Sequence, residues 1–394
     1  MHAPDHQPAD RPPGGPLGQR LFDHAAATPM RDSVRRALAE AEPLANPAST
    51  HRAGQRARAV LEDARERLAA ALGAHPTEVV LTSGGTESIN LALKGAWWAA
   101  RETAAVPPAL VVPVAEHHAT LDAVEWLERQ GAPVRWVPVD AHAVTDVAAF
   151  AAALEGEPAA AVATMLVASN ELGSMQPVAA VADASARAGV PLHLDAVGAF
   201  GHVPLRFADT GASLMSVASH KLGGPHGVGA LVVRRDARIQ ALHHGGGQQR
   251  GLRSGTQDAL GASLFALAAE EALAELHAEA TRLRVLTDRI LGRAVALPGI
   301  RVLAADDRLP HIAHLVVEGA EGESLQFLLD EAGFAVSNGS ACSAGVARES
   351  HVVRACGVTG AAPLRLSLGR STTEADVDAL LAALPHAVAR ARSL

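Results

Sequence analysis

The chain of 394 residues has no tyrosine, only 3% aromatic residues and two cysteines. With so few rings, its core must be built from Ala, Leu and Val. With two thiols, a disulfide framework is excluded and one pair at most could form, which points to a reducing, cytoplasmic compartment. A formal net charge of −8 excludes the basic surface that a nucleic-acid backbone binder needs. No uncharged apolar run reaches the ~18 residues of a membrane span; the longest, such as 103–115, stop short, so no membrane association is expected. The first twenty residues lack a signal-like apolar stretch and carry five prolines and three glycines. Residues 1–20 therefore read as a disordered leader.

What remains is a soluble globular composition, 48% hydrophobic and 19% charged. The length exceeds the ~250–300 residues of one compact core, so two domains are expected. Apolar strand candidates at 79–81, 110–114, 134–139, 162–167, 191–194, 214–217 and 228–233 are mostly separated by helical patterns, among them 53–72, 121–129 and 178–188. This alternation predicts a mostly parallel sheet covered on both faces. After about residue 259 the pattern changes to a long Ala/Leu/Glu-rich helix. Strands near 300–303, 312–317 and 364–368 follow, with helices over 325–332 and from 373 onward. The expected division is a large domain at 21–265, whose first residues could also pack on the other unit, and a small α/β domain at 266–394.

Lysine occurs only at positions 94 and 221. Lys221 follows an apolar strand within Ser219-His220-Lys221, and Asp195 ends another in His193-Leu194-Asp195-Ala196. Strand carboxyl ends are where α/β sheets place ligands. An acid to pair with a pyridinium nitrogen and a Schiff-base lysine would suit pyridoxal phosphate. An anion cradle should accompany them, and Thr82-Ser83-Gly84-Gly85-Thr86-Glu87 joins a strand to a helix as such a cradle does. The same turn could simply be an N-capped glycine turn. His117 ends a strand where an imidazole could cover a cofactor ring. Adjacent histidines point to opposite strand faces and no zinc-like spacing accompanies them, so no metal site is expected. Cys342 lies in a run of small polar residues, Ser337 to Gly345, that reads as an exposed reactive loop, whereas Cys356 has apolar neighbours. Arg365 is a charge inside an apolar strand: turned inward it needs an anion such as a substrate carboxylate, and the other readings are a structural ion pair or the outward face of a half-exposed strand.

In order along the chain, these motifs resemble the NifS/IscS-like cysteine desulfurases, in the class V aminotransferase group of fold-type-I pyridoxal-phosphate enzymes. The resemblance begins at Asp23-His24-Ala25-Ala26-Ala27-Thr28-Pro29 and Asn46-Pro47-Ala48-Ser49. It continues through Thr82–Ser88, Glu116-His117, Asn170-Glu171-Leu172-Gly173, Leu194-Asp195-Ala196 and His220-Lys221, and closes with Gly245–Thr256, Gly339-Ser340-Ala341-Cys342 and Arg365–Gly369. It implies an aspartate-aminotransferase-like fold with a seven-stranded large-domain sheet. It also implies a homodimer that converts L-cysteine to L-alanine and carries the sulfur as a persulfide on Cys342. Lys221 would hold the cofactor and move the substrate α-proton, and His117 would stack on the ring and assist proton transfer. Asn170 would bond near the cofactor hydroxyl, and Asp195 would bind the pyridinium nitrogen. Gly85, Thr86, Ser219 and His220, with Thr256 of a second subunit, would surround the phosphate, while Arg365 and Asn46 would hold the substrate carboxylate. The sulfur would pass to an acceptor such as an iron–sulfur scaffold protein. Two positions depart from the family: Gly198 stands where it usually has glutamine, and Ala218 where it has serine beside Ser219. A selenocysteine lyase, an aminotransferase of the same fold, or a homologue with weakened catalysis are the competing readings.

Overall fold

The computed structural model describes residues 18–339 and 350–393. Among these residues, a two-residue strand β1 (Arg20–Leu21) precedes helices α1 (Asp32–Ala39) and α2 (Arg52–Leu72). Helix α2 ends where the sequence places its glycine: Gly73 adopts φ +64°, and its N–H reaches the Ala69 and Ala70 carbonyls. The strands β2 (Val79–Thr82), β3 (Ala109–Pro113), β4 (Val134–Val137), β5 (Ala160–Leu166), β6 (Leu192–Asp195), β7 (Leu214–Ala218) and β8 (Gly229–Val233) follow. Between them run α3 (Gly85–Arg101), α4 (His118–Arg129), α5 (Val147–Leu154), α6 (Val178–Ala188) and the short α7 (Phe207–Thr210).

These seven strands form one sheet in the order β2-β8-β7-β6-β5-β3-β4. All its pairings are parallel except those of β8 with β2 and β7. Strand alternation divides the packing into two layers. Val111, Ala163, Met165, Ala230 and Val232 face a core shared with α2, α5 and α6. Leu110, Val112, Val162, Leu231 and Val233 face another, built against α3 and α4. The observed architecture is the expected α/β fold with a mostly parallel sheet.

Helix α8 (Ala259–Ala294) runs between two units of packing. Its residues from Ala259 to Ala272 belong to the first layer of the large core, and those from Leu283 to Ala294 to a separate core. The packing thus changes within the helix, between Ala272 and Leu283, downstream of the 265/266 division read from the sequence. The second core gathers β9 (Ile300–Val302), β10 (Ile312–Glu318), α9 (Gly322–Glu331), β11 (Phe334–Ala335), β12 (Ala361–Ser367) and α11 (Glu374–Ala391), while α10 (His351–Ala355) packs in a smaller cluster with Leu172, Leu303 and Val316. An antiparallel sheet β12-β10-β9 forms the spine of the second core. The short β1 pairs in parallel with β11, placing fully buried Phe22 in this core against Phe334, with ring centroids 6.1 Å apart. Gln19 and Arg20, counted in the leader from sequence, bond to Asp330 and Asp376, and residues 1–17 lie outside those described. Among the described residues, no helix is long and apolar enough to cross a membrane.

Truncating Phe22 to alanine should lower stability by ~3–5 kcal/mol, the usual cost of an aromatic side chain removed from a packed core. Denaturant-induced unfolding measures this. An unchanged midpoint would mean that the β1 segment does not contribute to the second core.

Candidate active site

Strand ends deliver the chemical groups to one place. Asp195 ends β6, is 3% exposed, and accepts the Val197 N–H at 2.9 Å. Burial raises its carboxyl to about 6, against the pull of that N–H and of the Lys221 charge. Two residues earlier, buried His193 locks the strand to its neighbours through Thr164 at 2.9 Å and Ser216 at 2.8 Å. After β7, a single tight turn brings Lys221 back over the sheet end. Its Nζ donates to the Ala25 carbonyl and, at 3.0 Å, to that of Ala26.

The glycine turn lies opposite. Gly84 has φ +148°, and a Cβ on Gly85 would stand 2.7 Å from the Val197 side chain. Both positions therefore require glycine, and α3 can start close against the end of β6. Its first N–H groups and the exposed Thr86 side chain border the cavity. Glu87 ties this turn to the 245–256 loop by accepting from Arg253 at 2.8 Å.

The cavity, about 360 Å³, is lined by Gly85, Thr86, His117, Asn170, Asp195, His220, Lys221 and Arg365. These are eight of the residues selected from sequence. Among the described residues, Ser219, Asn46 and Thr256 do not line it. Ser219 is fully buried but absent from the lining, and its hydroxyl oxygen would lie 2.0 Å from a Cβ on Gly224, so it is directed beneath the turn. Asn46 and Thr256 line a separate cavity of about 440 Å³. Cys342 lies outside the described residues. Cys356 is buried, and burial raises its thiol to about 11.

Several lining groups have partners of their own, and some supporting groups received no role from sequence. His117 caps α4 by accepting the Ala119 N–H on Nδ1 at 3.0 Å. Burial, then the Lys221 charge, lowers its ring to about 4. It is therefore neutral at physiological pH and carries its proton on Nε2. Its neighbour Glu116 accepts the Leu166 N–H at 2.8 Å, and burial raises its carboxyl to about 8. Glu171, raised by burial to about 7, accepts a hydrogen bond from Ser350. His24, His202 and His311 also line the cavity, with His202 and His311 stacked at 3.9 Å. Arg365, 4% exposed, pairs with Asp23 at 2.8 Å and donates to the Asn170 carbonyl at 2.9 Å. The ion-pair reading of Arg365 therefore holds beside its place on the cavity wall. Signals for Glu116, Glu171, Asp23 and His24 lay inside quoted motifs, whereas His202 and His311 had none.

The residues fit pyridoxal phosphate. Asn170 Oδ1 is buried without a hydrogen-bond partner. A helix N-terminus with a threonine faces one end of the cavity, and an acid and a lysine face the rest. A Cβ on Gly198 would meet nothing within 4 Å, so the departure from glutamine leaves space at that wall. Among the described residues, no group of three His, Cys, Asp or Glu side chains is arranged to hold a metal ion.

Residues 20–380 match the family model described as aminotransferase class-V. The chain is 46% identical over 379 residues to an IscS-like cysteine desulfurase of Mycobacterium tuberculosis, covering 94% of this chain and 96% of that protein. It is 35% identical over 379 residues to the cysteine desulfurase IscS of Methanosarcina thermophila, covering 95% and 93%. A solved NifS-like protein superposes with a TM-score of 0.87 at 30% identity, covering 94% of this chain and all of the other.

At pH 8 almost none of the Cys356 thiol is thiolate, so iodoacetamide should leave it unmodified in the folded protein and label it after unfolding. Peptide mass spectrometry decides; rapid labelling of native Cys356 would contradict its burial.

Proposed function

This chain belongs to the class V aminotransferase family, and from that premise we propose how its residues divide the work of a pyridoxal-phosphate-dependent cysteine desulfurase. The protein is such an enzyme: it acts on L-cysteine and passes the sulfur on. The observation that carries the assignment of roles is the convergence of Asp195, Lys221, Asn170, Arg365 and the Gly85-Thr86 turn on one cavity.

Pyridoxal phosphate, held at Lys221, supplies an electron sink for negative charge developing on the substrate Cα. Asp195 would pair with the pyridine nitrogen, an opposite charge there keeping the buried carboxyl ionised. Asn170, with its unpartnered amide oxygen, would bond near the ring hydroxyl. Gly85, Thr86 and His220 would hold the phosphate with N–H and hydroxyl donors, and Ser219 would reach it only by turning from its position beneath the Gly224 turn. Lys221 moves the α-proton. His117 would cover the ring and begin as a donor at Nε2, because its Nδ1 accepts the Ala119 N–H. It thus offers a proton first, and accepts one from the Cys342 thiol only after that. Arg365 takes the substrate carboxylate with the donors that Asp23 and Asn170 leave over. The Cys342 thiolate attacks the substrate sulfur. A sulfur–sulfur bond forms as the carbon–sulfur bond breaks, and the electron pair stays with the carbon fragment, which is protonated and leaves as alanine.

The assembly is a homodimer in the cytoplasm. Support for the dimer comes from Asn46 and Thr256, which belong to the expected site yet line a different cavity; a second copy would bring them to the neighbouring site. The acceptor is an iron–sulfur scaffold protein or a comparable sulfur carrier, supported by the Ser/Gly/Ala-rich sequence around Cys342. The competing lyase and aminotransferase readings have no supporting observation.

Two variants test these roles. Lys221→Ala should abolish turnover, and borohydride reduction of the native holoenzyme should tag Lys221; a tag elsewhere refutes the assignment. Cys342→Ser should give little alanine and no protein-bound persulfide, whereas the native protein treated with cysteine should gain one sulfur on the peptide containing Cys342. Full alanine production by Cys342→Ser would overturn the sulfur-transfer role.

A further inference from the structure

Arg365 already carries an anion from its own chain. The segment leaving β1 runs beside β12: the Ser367 N–H donates to the Phe22 carbonyl at 2.8 Å, and Asp23 forms a parallel bridge with Ser367. This places the Asp23 carboxylate 2.8 Å from Arg365 Nη2, with the arginine 4% and the aspartate 24% exposed. The Asn170 carbonyl takes Nη1, while Nε is buried without a partner. A guanidinium has five N–H donors, so both groups leave donors for a second carboxylate.

We propose that Asp23 is an affinity-setting residue, a permanent second anion on Arg365 that weakens the hold on any α-carboxylate entering the cavity. This rests on the reading of Arg365 as the partner of the substrate carboxylate. The electrostatic reason is direct. An isolated guanidinium buried at this position would be costly, and Asp23 offsets that cost. Once a substrate carboxylate is bound, the two anions share one cation and repel. L-Cysteine and L-alanine carry the same α-carboxylate, so tighter binding there would hold product as firmly as substrate. Uniform binding of that kind adds nothing to the chemical step. Asp23 therefore keeps product release easy at the expense of a higher Michaelis constant. It is a positioning residue, acting only through Arg365.

The test uses holoenzyme carrying Asp23→Asn, which keeps an oxygen acceptor for Arg365 and removes the charge. The inhibition constant of L-alanine and the KM for L-cysteine should both fall, by roughly three- to tenfold, the scale of one like-charge contact at a partly exposed site. Inhibition by cysteamine, which has no carboxylate, should not tighten. Calorimetric titration with L-alanine reads the same change without turnover. Asp23→Ser, which also removes the charge, repeats the measurement if the asparagine variant is poorly folded. Unchanged or weakened alanine binding would overturn the proposal and leave Asp23 as a support for Arg365. Arg365→Lys is measured in parallel. If it leaves alanine binding and KM unmoved, the reading of Arg365 itself fails. If it weakens both while Asp23→Asn has no effect, only the role of Asp23 fails.

Discussion

Keeping opposite charges ionised at the end of a buried sheet is the constraint on which the site depends. Asp195 is buried and Lys221 half-buried at the ends of two neighbouring strands, and a desolvated charge needs compensating bonds nearby. The Val197 N–H compensates the carboxylate, and the carbonyls of Ala25 and Ala26 compensate the ammonium. Each bond demands a particular backbone path. Val197 must turn back over β6, which the neighbouring Gly85 permits by having no side chain. Ala25 and Ala26 must cross from the far end of the chain, and their anchor is Phe22 in the second core.

The N-terminal segment therefore couples the two packing units. Its hydrogen bonds to Ser367 run along β12 of the small sheet, while its carbonyls meet the lysine of the large one. Arg365 crosses the same boundary in the opposite direction, from β12 to the Asn170 carbonyl. The cavity is thus closed by long-range polar contacts between units rather than by either core alone. Buried carboxyls also brace the surroundings of the site. Glu116 fastens the start of α4 to the end of β5, and Glu171 receives Ser350 at the near edge of α10. Both are raised by burial, so each is held by hydrogen bonding more than by charge.

Much of this was legible along the chain. Strands buried on both faces are continuously apolar, so the inner strands of the large sheet stood out, and the acid and lysine at two of their ends were conspicuous against that background; the edge strand β4, with exposed Trp136, is the less regular one. Helix α2 was marked by its spacing and its closing glycine. Short pairings were not legible: β1 and β11 have two residues each, too few for any periodicity. The direction of the Ser219 hydroxyl was not legible either: the tight turn sends it under Gly224. Asp23 sat inside a recognised motif without a role, since nothing local connects it to an arginine 342 positions later.

Local pattern by itself determined the α/β architecture, the order of the strands along the chain and the identity of the acid, lysine and glycine turn, because each depends on neighbours within one element. Only the tertiary structure decided which donors those groups meet. It brought the Arg253 guanidinium to Glu87 of the glycine turn, and it divided the expected residues between two cavities. It also set Asp23 against Arg365. The physical reason is that hydrogen bonds and ion pairs act over about 3 Å in space, while sequence patterning reports only on residues a few positions apart.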